Sequence, residues 1–134
     1  MSKRKLQVAT AILAAVPTIT GLLGMTGLDD PLYAALHLPR DATLDSNLRF
    51  YAGVWLGAGV AAFSLLPRIE HETKLFRALW LMIFLGGLGR LASLFLVGMP
   101  FPPFIGFTVL EVVGAPLFVW WQHRVASATA ARRP

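Results

Sequence analysis

Two ionisable residues stand alone inside long apolar runs: Arg90 in GGLGRLASLFLVG (residues 86–98) and Glu111 in FTVLEVVGAP (residues 107–116). Arginine brings a permanent charge and five N–H donors, and glutamate brings acceptors and a group that can carry a proton. Side by side they could form a structural ion pair, recognise the head of an anionic or carbonyl-bearing amphiphile, or conduct a proton or ion through Glu111. Either charge alone in hydrocarbon costs at least ~2.5 kcal/mol on insertion, so each is expected to answer to the other. Arg49, in the stretch RFYAG that opens an earlier run, has no acidic residue in its own run. Two arginines against one glutamate leave a positive charge over. The candidate ligand-binding set is therefore Arg49, Tyr51, Arg90, Ser93, Thr108 and Glu111, with Arg90 and Glu111 as an intramembrane ion pair.

Other chemistries find little support. The chain has no cysteine, which excludes disulfides, thiolate metal sites and cysteine nucleophiles. It carries no nucleophile-elbow motif, phosphate-binding glycine loop followed by lysine, or HExxH motif. His37, His71 and His123 fall at the ends of apolar runs, so no two face each other as a bundle-bound haem requires. No catalytic residue, metal or cofactor is expected, and nothing in the residues argues for an enzyme.

The elements that must hold Arg90 and Glu111 follow from composition. Of 134 residues, 56% are hydrophobic and 14% charged, a balance unlike that of a water-soluble domain. Four apolar runs, 6–27, 48–66, 75–98 and 104–121, are each near the ~20 residues that cross a bilayer as a helix. The predicted fold is all-α: an integral membrane four-helix antiparallel bundle in a single domain, 1–134. The first run is too long for the ~7–15-residue core of a signal peptide and reads as a retained span. Pro17, with Thr18 and Thr20 nearby, predicts a kink in that span. Asp30-Pro31 predicts a short interfacial helix in the first outer loop, and Asp45 or Ser46 is the expected cap of the second span. Gly53, Gly57 and Ala61 recur at four-residue intervals behind Arg49, a helix-packing face. Gly86 and Ser93 lie a turn either side of Arg90; Thr108, Gly114 and Ala115 flank Glu111; all are expected to face protein. The connection MPFPP (99–103) is short enough to force an antiparallel hairpin. Trp80, Trp120, Trp121 and Tyr51 fall where membrane-interface aromatics belong.

The net charge of +5 is explained by topology rather than by nucleic acid. Lys3, Arg4 and Lys5, then Arg68, Lys74 and Arg77, then Arg124, Arg132 and Arg133 share one side of the predicted bundle. The other side carries Arg40 and Arg49 among Asp29, Asp30, Asp41 and Asp45. The positive-inside rule then places both termini in the cytoplasm. At 1.5 Å per residue, Arg90 and Glu111 lie about 10–12 Å below the outer boundary, at matching depth across the hairpin.

Arg49-Phe-Tyr51-Ala-Gly53, Gly86-Gly-Leu-Gly-Arg90, Gly98-Met-Pro100 and Glu111, taken in order, resemble a bacterial family of small four-span membrane proteins catalogued as a domain of unknown function. The resemblance runs from about Thr10 to Gln122. It implies architecture, candidate residues and a bacterial cytoplasmic (inner) membrane location, and no activity. The expected partners are the lipid bilayer, other membrane subunits or further copies of the chain. Three functions remain open: an accessory or assembly subunit of a larger membrane complex, a binder of a lipid or quinone-like amphiphile, and a small oligomeric transporter using Glu111.

Overall fold

The computed structural model describes residues 2–131; Arg132 and Arg133, counted above as topology signals, lie outside them. Among the described residues there is no strand. The long helices are α1 (Lys3–Gly24), α2 (Ala42–Leu65) and α3 (Thr73–Leu96). A fourth long segment follows in three parts: α4 (Pro102–Val109), a π-helical turn (Leu110–Gly114) and α5 (Ala115–Ala130). Four helical segments are thus long and apolar enough to cross a membrane: Lys3–Gly24, Ala42–Arg68, Thr73–Leu96 and Pro102–Ala130. The last outruns its apolar stretch of 104–121, because Gln122 to Ala130 is polar yet rich in helix-compatible alanine.

The chain divides into two compact units, Gln7–Pro67 and Arg68 onward together with the first turn through Leu6. In the first unit α1 and α2 approach closely. A Cβ on Gly21 would lie 2.6 Å from Leu56 N, one on Gly24 would lie 2.8 Å from Ala52 Cβ, and one on Gly59 would strike the Thr18 hydroxyl. These glycines, rather than the expected Gly53 and Gly57, set the close approach. Gly57 has nothing within 4 Å of its Cβ position, and Gly53 meets only Met25 Sδ at 3.7 Å; Ala61 is half-buried. Trp55 Nε1 donates to Thr20 Oγ1 at 2.9 Å, tying the two helices through a hydroxyl. The Thr18 and Thr20 hydroxyls also donate to the carbonyls of Ala14 and Val16, back-bonds of a kind that often bends a helix.

Charges order the connection between α1 and α2. Asp30 caps the 3-10 helix Pro31–Leu36 by accepting from Leu32 N at 2.9 Å, with Pro31 at its first position. His37 ends that helix in the left-handed region. The cap of α2 is Asp41, which accepts from Leu44 N, one turn ahead of the expected Asp45 or Ser46. Asp45 instead accepts from Leu28 N at 3.0 Å and pairs with Arg49, beside Gly27, whose φ of +66° puts the turn where a side chain is disfavoured.

In the second unit α3 packs on the fourth segment. Phe76, Trp80, Phe118 and Trp121 form a chain of ring contacts, with Trp80 stacked on Phe118 at 4.5 Å. Gln122 is fully buried, and its amide donates to Ile69 O and Thr73 Oγ1. Lys3 Nζ donates to Glu70 Oε1 at 2.6 Å, so the first turn of α1 is fixed to the loop before α3.

Candidate functional site

Span four cannot run through Glu111 as a regular α-helix, and Pro116 is one reason. Proline has no N–H to offer the carbonyl four or five residues earlier, Val112 or Glu111, and its ring crowds that carbonyl. The chain widens there into the π turn Leu110–Gly114, with Glu111 inside it. Single π turns within α-helices concentrate at functional sites. The wider turn meets α3 at Gly87, where a Cβ would lie 2.6 Å from Glu111 Cβ and 3.1 Å from the Glu111 carbonyl carbon. Only a residue without a side chain fits between.

This approach sets the geometry of the pair. Arg90 Nε is 3.0 Å from Glu111 Oε2, yet Oε2 accepts no aligned hydrogen bond although it is completely buried. The contact is therefore an ion pair held by charge and proximity. Their side chains are 38% and 10% exposed, so the carboxylate sits inside and the guanidinium at the edge. Arg90 Cζ lies 5.2 Å from the Phe104 ring centroid, within cation–π range. Thr108 is buried, its hydroxyl donating to Phe104 O, and Ala115 is buried one turn beyond Glu111. Gly86 and Ser93, expected to face protein, are exposed; the buried small residue of that turn is Gly87.

Arg49 stands in contrast. Its Nε and Nη2 reach Asp45 at 2.7 and 3.3 Å, Nη1 donates to Met25 O at 2.6 Å, and Nη2 donates to Thr26 O at 3.0 Å. It closes the carbonyl end of α1 and has its counter-charge one turn away. The excess positive charge counted from the sequence is thus taken up by Asp45. Tyr51 is 64% exposed and touches Phe50 edge-on. Arg90, Thr108 and Glu111 gather in the second unit; Arg49 and Tyr51 belong to the first and have contacts of their own.

A second polar place lies at the far end of the same unit, a cavity of about 370 Å³ lined by Glu70, His71, Ser127 and Thr129 among others. Burial pushes the Glu70 carboxyl up, but the Lys3 hydrogen bond, a backbone hydrogen bond and the nearby charges of Lys3 and His71 outweigh it and hold the group below its ordinary value. Among the described residues, no group of three or more histidines and carboxylates is placed to hold a metal.

The model of a domain of unknown function, DUF4345, matches residues 5–122. The chain belongs to that family. The DUF4345 match takes in all four apolar segments, the π turn and every candidate residue from Arg49 to Glu111. No curated protein and no solved structure shows significant similarity to the chain.

Signals for the π turn were present in the sequence. Glu111 is followed five residues later by Pro116, and Gly87 adjoins the glycine that helical counting favoured.

Proposed function

We propose that this DUF4345 protein is a multi-pass membrane protein that binds the polar head of an amphiphile at Arg90, between its third and fourth spans. One observation carries the reading: the Arg90 guanidinium meets no acceptor among the described residues other than Glu111 Oε2, although it lies within a membrane-spanning segment and is 38% exposed. The four N–H donors on its two Nη atoms, in hydrocarbon, call for acceptors. Glu111 holds the guanidinium from behind, Phe104 covers one of its faces, and the open edge presents a fork suited to carbonyl or phosphoryl oxygen. The 3.0 Å approach of Arg90 to Glu111 favours binding over a transporter, in which Glu111 would cycle without a standing partner.

In this reading both termini are cytoplasmic and the connection 25–41 is outside, by the asymmetry of basic residues; a bacterial cytoplasmic membrane follows from the family resemblance alone. The accessory-subunit reading has an observation of its own. Gly86 and Gly89 of α3 are exposed, with nothing within 4 Å of their Cβ positions, an open strip on which a partner helix or a second copy could settle.

The test is native mass spectrometry of gently extracted wild type, Arg90→Gln and Arg90→Lys at equal folded amounts. Binding predicts a retained amphiphile that Arg90→Gln loses and Arg90→Lys keeps in part, because an ammonium does not reproduce the planar fork. Equal retention by all three removes Arg90 from binding. A partner protein retained in its place selects the subunit reading.

A further inference from the structure

We infer that the head bound at Arg90 is uncharged, a carbonyl-bearing group such as a quinone ring or a glyceride ester, and that Glu111 selects it by excluding anions. The inference rests on the binding reading above and adds the class of ligand. Charge counting leads to it. Between Arg77 and His123 the chain carries no ionisable residue except Arg90 and Glu111, and the apolar parts of the first two spans, 6–28 and 52–67, carry none. The pair is neutral as it stands. Arg49, the arginine left over when the charges of the apolar runs were counted, is matched by Asp45 at 2.7 Å.

An anion that takes the open edge of Arg90 would share one guanidinium with the Glu111 carboxylate. Two negative charges would then lie within a few ångströms of each other, away from bulk water, where repulsion is much stronger than at a surface. Glu111 has no room to withdraw: its side chain is 10% exposed, it sits in a π turn, and its Cβ is pressed against Gly87. A neutral carbonyl takes a charge-assisted hydrogen bond from Arg90 without that repulsion.

Depth points the same way. The 24 residues of α3 span about 36 Å, against a hydrocarbon core of about 30 Å. Arg90, six residues from the helix end, therefore lies several ångströms inside the hydrocarbon. Quinone rings and ester carbonyls reach that level, whereas a phosphate would have to shed its hydration.

The experiment offers delipidated protein three probes in turn, with binding read by native mass spectrometry: decylubiquinone, dioleoylglycerol and dioleoylphosphatidylglycerol. The last two share their acyl chains and differ in head charge. Wild type should bind at least one neutral probe at least about tenfold more tightly than the anionic lipid, and which neutral probe it prefers identifies the source of the carbonyl. Glu111→Gln leaves Arg90 unbalanced and should strengthen phosphatidylglycerol binding at least about tenfold; a melting curve checks its fold. The wild-type comparison needs no variant and decides by itself if Glu111→Gln does not fold. Wild type that prefers phosphatidylglycerol, with the preference lost in Arg90→Gln, overturns the neutral-head inference and leaves amphiphile binding standing. Binding of all three probes unaffected by Arg90→Gln overturns the binding reading as well.

Discussion

Arg90 and Arg49 show how much an arginine's meaning depends on the acceptors around it. Both open onto apolar helices in the sequence, but Arg49 fills its donors with Asp45 and two backbone carbonyls, whereas Arg90 has one misaligned carboxylate and an aromatic face. Replacing one member of a buried ion pair costs about 3–5 kcal/mol; with Arg90 over a third exposed, the loss here belongs near or below 3 kcal/mol. Arg90→Ala should be the worse of the two alanine changes, since it strands the more buried Glu111, while Glu111→Ala leaves an arginine free to swing toward headgroups. Arg90→Met combined with Glu111→Gln should recover most of the loss. Thermal melting in one detergent checks all three, and single variants that melt like wild type would show that the contact contributes no stability. Arg49→Gln should destabilise the first hairpin through its loop and leave amphiphile retention unchanged, measured on folded protein.

At the level of elements, the glycines divide sharply by neighbour. Gly87→Ala puts a methyl group 2.6 Å from Glu111 Cβ, and overpacking of this kind costs about 1–3 kcal/mol. Gly86→Ala and Gly89→Ala meet nothing within 4 Å and should be neutral or stabilising by up to about 1 kcal/mol through helix propensity. Melting temperatures of these three neighbouring variants give the comparison, and equal effects at all three positions would contradict the close approach. The sequence carried much of this level. Hydropathy marks the four spans, the five-residue connection 99–103 makes α3 neighbour to the fourth span, and counting from it puts Arg90 and Glu111 at matching depth. Counting at 3.6 residues per turn cannot foresee the π turn, which takes more residues per turn, and on α3 it does not choose between Gly86 and Gly87, which lie four and three residues before Arg90 and share its face. The small-residue repeat at Gly53 and Gly57 is a different case: periodicity identifies a face but does not say which neighbour occupies it, and the approach of α1 to α2 falls on Gly21, Gly24 and Gly59.

For the whole molecule, sidedness is the property to measure. Cysteines placed singly at Ser2, Ala42 and Ala128 in this cysteine-free chain would react with an impermeant thiol reagent on intact cells only where they face outside. Ala42→Cys alone should label, and labelling of Ser2→Cys instead would reverse the orientation. The Lys3–Glu70 tie adds a pH dependence. A carboxyl whose folded-state pKa is depressed contributes stability that is present above its ordinary value, near 4.5, and lost as pH falls through the lower folded value. Wild type should therefore lose stability in acid in excess of Glu70→Gln, with the two converging once Glu70 is protonated; parallel pH profiles would mean that the tie carries no linkage.

The same tie has a consequence in time. Lys3 and Glu70 are separated by 67 positions, so when Lys3 leaves the ribosome its partner has not been translated, and neither have Ile69 and Gln122, which close the same end of the second unit. The first turn of α1 must wait through the synthesis of two spans before it can be fastened. During that interval the amino-terminal lysines and arginine face solvent and lipid headgroups alone, and whatever holds them on their side of the membrane is supplied by the cell's insertion machinery and the bilayer. A nascent chain stalled before Glu70 is the form in which the first span should be easiest to invert, and a chain released after Gln122 the form in which it should be hardest.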